Sequence, residues 1–146
     1  MNKYEISAAI KNYKWMMQLL INRRLEAVSG SRSLIAQYGI DAAMPKAQNS
    51  PSDPIFNEIQ RIEKHEKNTR KIRRKVLMIQ KHSKVIKGEK DVLVLDMLLD
   101  GLPLREIASE LNMSIGSVQS SKDRIINKIY ESIQNEQSEQ IEQKIN

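Results

Sequence analysis

The sequence predicts an all-α protein: long N-terminal helices, forming a helical hairpin or a dimerisation region, precede a set of shorter C-terminal helices. Three observations carry this. Apolar residues recur at spacings of three, four and seven, the period of one helix face. No stretch shows the strict alternation of a half-buried strand; the short Val92–Leu95 run suits a buried helix. Hydrophobic residues make up 40% of the chain but aromatics only 4%, so aliphatic packing must carry the core.

The first element reads from Tyr4 to Ser29. Ile6, Ile10, Tyr13, Met17, Leu20 and Ala27 share one stripe, Trp15 and Met16 lie off it, and Gly30 stands where a stop is expected. So broad an apolar face wants a partner. Residues 30–53 read as an irregular linker, with Pro45, Asn49, Ser50 and Pro51 opposing regular structure. Asp53 as cap and Pro54 at the first helical position then open a second long helix. Its stripe runs through Ile55, Ile59, Ile62, Ile72, Val76 and Ile79, weakens at Glu66 and Thr69, and stops near Lys87-Gly88.

A different grammar begins at Lys90. Val92, Leu93, Leu95, Leu98 and Leu99 form an apolar helix ending at Asp100-Gly101, and Pro103 suits the start of another. Ile107, Ala108 and Leu111 give that helix one apolar face, and the small Ala108 allows a close crossing. Asn112 and Met113 turn the chain, and Ser114 caps a further helix whose inner face is Val118, Ile125 and Ile129. This order is that of a helix-turn-helix, which sets one short helix in the major groove of DNA. Ser117, Gln119, Ser120, Lys122 and Arg124 point elsewhere, where Gln pairs with adenine, Ser serves several bases, and Lys or Arg meets guanine or phosphate. The Gln/Glu-rich segment after Ile133 reads as a frayed polar tail or, with Ile141 and Ile145 four apart, as an extension of the last helix. The expected boundaries are therefore 1–88 for oligomerisation and the basic region, 89–133 for DNA binding, and 134–146 for the tail.

The unit from Lys90 to about Ile133 resembles region 4 of bacterial sigma factors and the related domains of response regulators. That resemblance implies promoter reading by the second helix, with Ile115, Gly116, Gln119, Ser120 and Lys122 at the reading positions. Ile115 and Gly116 depart from the pattern, since those positions are often charged in sigma factors. Three features occur together over most of the chain: Tyr13-Lys14-Trp15-Met16-Met17 in a long first helix, Ser52-Asp53-Pro54 opening a second, and this C-terminal unit. Their combination resembles ArpU/RinA-type regulators of phages and prophages in Gram-positive bacteria. It implies an activator of late genes, with Asp91, Asp96, Asp100, Glu106 and Glu110 available to RNA polymerase.

Charge is unevenly spread. The formal net charge is +6, yet residues 61–90 hold twelve Lys/Arg against three Glu, or +9, while residues 91–133 hold four against seven, or −3. Arg70, Lys71, Arg73, Arg74 and Lys75 form the densest run. Such a face binds DNA phosphates with salt-sensitive affinity: six contacts would lose ~10³ in affinity between 50 and 200 mM salt. It could instead grip an acidic protein surface or remain a solvated face. Catalysis is not expected. His65 and His82 are seventeen residues apart without metal-ligand spacing, no glycine-rich phosphate loop occurs among five glycines, and cysteine is absent. No cofactor or metal is expected. Without a membrane-length apolar run or a signal-peptide pattern, the sequence points to a cytoplasmic protein of a bacterial host cell. The partners expected are double-stranded DNA, RNA polymerase and a second copy, a dimer presenting two reading helices to a repeated or palindromic site. Three other functions share these features: a phage small terminase subunit on packaging-site DNA, a sigma factor proper, and a protein-binding module acting on polymerase or a sigma factor. A sigma factor is disfavoured because no aromatic-rich DNA-melting domain is visible.

Overall fold

The computed structural model describes residues 1–38 and 54–145, with side chains described within 1–26 and 54–145. Among these residues there are five α-helices and no strand: α1 (Lys3–Tyr38), α2 (Pro54–His82), α3 (Glu89–Leu99), α4 (Leu104–Glu110) and α5 (Ile115–Ile145), with a 3-10 turn at Ser83–Val85. Two compact units divide the chain. Met1–Met17 and Arg74–Asn146 form one, and Gln18–Arg73 form the other.

Local chemistry sets most helix ends. Asn2 and Glu5 form a reciprocal capping box at α1: Asn2 Oδ1 accepts from the Glu5 N–H and Glu5 Oε2 from the Asn2 N–H, both at 2.8 Å. Pro54 is the first residue of α2, as expected, while the Asp53 cap lies outside the described residues. Gly101, at φ +83°, ends α3 in a Schellman turn, its N–H bonding Leu98 O at 3.0 Å and the Leu102 N–H bonding Met97 O at 3.1 Å. The same motif recurs after α4 with Asn112 at φ +51°, where the Met113 N–H bonds Ala108 O at 2.9 Å. Ser114 Oγ accepts from the Ser117 N–H at 3.1 Å, giving α5 its cap.

Four expected boundaries or stripe positions are corrected. Helix α1 does not stop at Gly30 but runs to Tyr38, taking in the first part of the expected linker; the rest of it, 39–53, lies outside the described residues. A glycine weakens a helix by about 1 kcal/mol without the steric block that proline imposes, so helix-compatible neighbours carry the chain past it. Helix α2 ends at His82 rather than near Gly88. The 3-10 turn that follows brings Ile86 into the core, and Gly88 becomes the N-terminal flank of α3, its carbonyl accepting from the Val92 N–H at 2.8 Å. Of the two readings of the segment after Ile133, the extension is the one found: α5 is continuous to Ile145. Met16, placed off the α1 stripe, is buried, and Leu93, placed on the α3 face, is 47% exposed.

The first unit holds the core. Val94, Leu95 and Leu98 of α3, Ile107 and Ala108 of α4, and Val118, Ile125, Ile126, Ile129 and Ile133 of α5 are buried, joined by Ile6, Ala9 and Ile10 from α1 and Val76 and Ile79 from α2. Polar contacts fix the outer helices to it. Gln80 Nε2 donates to Tyr13 Oη at 2.9 Å, and the Lys3 ammonium lies 5.4 Å from the Tyr130 ring centroid. His82, 3% exposed, pairs its Nδ1 with Ser132 Oγ at 2.8 Å. Its Nε2 lies 3.0 Å from Glu136 Oε2, within ion-pair range but not aligned as a hydrogen bond. Lys81 also bonds Glu136, holding that carboxyl below its ordinary range.

The second unit is built differently: none of its described side chains is buried. Arg23 Nη2 lies 3.0 Å from His65 Nδ1. Arginine has no acceptor, so the guanidinium donates and the imidazole nitrogen accepts.

Candidate nucleic-acid interface

The α4–turn–α5 segment owes its form to burial on one side only. Val118, Ile125 and Ile129 are each 0% exposed, which turns the opposite face of the first turns of α5 outward. On that side Gly116, Ser117, Gln119, Ser120 and Asp123 are exposed; Ile115, also exposed, and Lys122, half-buried, flank the inner stripe. At 100° per residue, Gly116 lies near the middle of the outward arc formed with Gln119, Ser120 and Asp123.

These side chains are not equally available. Ser114 Oγ donates to Ser117 Oγ at 2.9 Å, drawing Ser117 into the cap. Gln119 Nε2 donates to Asp123 Oδ1 at 3.0 Å, which leaves the Gln119 carbonyl oxygen and one amide hydrogen for a partner. Lys122 and Ser120 make no hydrogen bond or ion pair to a described side chain.

Arg124 has another task. Its Nη2 donates to Asp91 Oδ1 at 2.9 Å and to Ser121 Oγ at 3.0 Å, and its Nε to Asp91 Oδ2 at 3.3 Å. Asp91 is 6% exposed and Ser121 1%, so the fork ends in the seam between α3 and α5. The Arg124 hydrogen bond holds the Asp91 carboxyl below its ordinary range; burial opposes this, while Ser121 and the charges of Arg124 and Lys128 assist. Arg124, expected to contact DNA, ties α5 to α3 through this fork while its side chain stays 57% exposed. Asp91, expected among the acids open to polymerase, is buried in the same contact, whereas Asp96, Asp100, Glu106 and Glu110 are exposed. Sequence spacing marks Asp91 as the first turn of a helix but carries no sign of a partner thirty-three residues away.

On α2, Arg70, Lys71, Arg73, Arg74 and Lys75 are all exposed, and none makes an ion pair among the described residues. Among those residues no group of three His, Cys, Asp or Glu could hold a metal ion, and no helix is long and apolar enough to cross a membrane.

Comparison with known proteins adds one relative. The chain is 28% identical over 136 residues to the uncharacterized protein YqaQ of Bacillus subtilis (strain 168), covering 88% of this chain and 89% of that protein. No protein-family model matches the chain, and no solved structure matches it.

Proposed function

We propose that this protein is a sequence-specific regulator of transcription that binds double-stranded DNA through the first turns of α5, in the manner of ArpU/RinA-type activators of phage and prophage late genes. The observation that carries the reading is the capped, one-sided start of α5. Its inner face is sealed against α3 and α4, while Gln119 and Ser120 stand outward after a rigid turn and the half-buried Lys122 flanks them. Base-reading side chains need that rigidity, because a side chain on a loosely held helix loses the orientation that distinguishes one base edge from another. Arg70, Lys71, Arg73, Arg74 and Lys75 supply sequence-independent attraction to phosphates. The protein acts in the bacterial cytoplasm, on DNA and in contact with RNA polymerase, to which the exposed Asp96, Asp100, Glu106 and Glu110 are available. It works as a homo-oligomer, a dimer by preference. Ile21, Phe56 and Ile59 of the second unit are 48%, 57% and 49% exposed, leaving apolar surface for another copy.

The test is selection of duplexes from a random pool by the full-length protein, followed by transcription from a template bearing the selected site with purified polymerase. Enrichment of one sequence and a change in transcript yield are the expected results. Enrichment without any effect on transcription, together with a ring-sized particle, would point to a packaging protein. Absence of enrichment would overturn the reading.

A further inference from the structure

The first turn of α5 carries one exposed side chain that no hydrogen-bonding scheme can use. Ile115, the first residue of the helix, is 51% exposed and lies beyond the core reached by Val118, Ile125 and Ile129. Beside it, a Cβ built on Gly116 would meet nothing within 4 Å, so the centre of the reading face is a notch open to solvent. Gln119 follows Ile115 by four residues and Lys122 by seven, which sets all three on one stripe along the edge of that notch.

We propose that Ile115 reads a thymine by its 5-methyl group, with Gly116 admitting the base edge close to the helix backbone. The inference rests on the DNA-reading role of α5 and names part of its target. Residues at the N-terminus of a recognition helix are those that reach base edges. Bases display donors and acceptors in the major groove, and the thymine methyl is the apolar group among them. An aliphatic side chain at that position therefore discriminates through the methyl. Side chains near Ile115 cannot substitute for it: Ser117 is held by the cap, and Arg124 by Asp91. A bulkier residue than glycine at 116 would hold the helix off the groove floor just where Ile115 must touch.

The experiment uses the full-length protein and the duplex enriched from a random pool, with each thymine replaced in turn by deoxyuridine. That change removes one methyl and leaves every hydrogen bond intact. At one thymine, binding should weaken about three- to fourfold, the effect of one methyl leaving an apolar contact. Ile115→Ala should then bind the thymine and uracil duplexes equally. Gly116→Ala should be at least as stable to heat as the parent, because alanine favours a helix and its Cβ meets no neighbour, yet should weaken binding to both duplexes. An enriched site in which no methyl matters, or an Ile115→Ala protein that keeps the thymine preference, overturns the proposal and leaves DNA reading standing. Failure of any sequence to enrich overturns the DNA reading, and this inference with it.

Discussion

Lys122 and Arg124 are cations two positions apart on one helix, and their surroundings give them opposite tasks. Arg124 satisfies a buried carboxylate and a buried hydroxyl, so Arg124→Ala should lower the midpoint of denaturant unfolding by leaving those acceptors without their donor. Lys122→Ala should leave denaturant unfolding within ~0.5 kcal/mol of the parent and, if Lys122 contacts a base, lower discrimination between selected and scrambled duplexes by ~1–3 kcal/mol. Equal losses of stability in the two variants would contradict this division of labour. The Asp91 contact also has a pH signature. Arg124 depresses the folded carboxyl below the ordinary aspartate value of 3.8. The stabilisation is therefore present above that value and is lost as pH falls through the lower, folded one. Acid unfolding curves of the parent should steepen below about pH 4, and Asp91→Asn should remove that part of the slope.

Within the helical elements, two turns of one type are made with different residues. Gly101 and Asn112 both sit in the left-handed region after a helix, at φ +83° and +51°. Glycine enters that region without a Cβ penalty, and asparagine tolerates it better than most residues. Gly101→Ala should cost about 1–2 kcal/mol in thermal or denaturant unfolding. The cost is one of backbone conformation and not of space, since the nearest atom to the added Cβ, Lys14 Cδ, would lie 3.7 Å away. Asn112→Gly should be tolerated. In α2 the exposed basic run makes a prediction about ions instead of folding. Replacing Arg70, Arg73 and Arg74 with glutamine should lower the slope of log affinity against log salt by about 2–3 if each meets a phosphate, with sequence preference retained. An unchanged slope would assign the run to a protein partner or to solvent.

For the molecule entire, the contrast between its two units sets the expectation. One has a core drawn from all five helices; the other shows no buried side chain among its described residues and exposes Ile21, Phe56 and Ile59. A helical segment lacking a core gains its stability by covering apolar faces with something else. The full-length protein should therefore scatter light as a dimer or larger, and the double substitution Phe56→Lys with Ile59→Lys should shift its mass toward the monomer. The far-ultraviolet spectrum and cooperative melting of the first unit should survive that change. A monomeric parent protein at micromolar concentration would refute self-association through these helices.

The all-α class, the Gly101 and Asn112 turns, the Ser114 cap and the inner faces of α4 and α5 were legible in residue order, because each depends on groups within one or two turns of each other. The same locality explains the misread places. Gly30 is a weak helix former that its neighbours can carry within a helix, and the true end of α2 follows from where Ile86 finds its core. The pairing of Arg124 with Asp91, and of His82 with Ser132 and Glu136, joins residues dozens of positions apart. Such contacts exist only once α3 and the end of α2 have packed on α5. Periodicity could point Arg124 away from the inner stripe, but only the packing of α3 on α5 brings its guanidinium to Asp91.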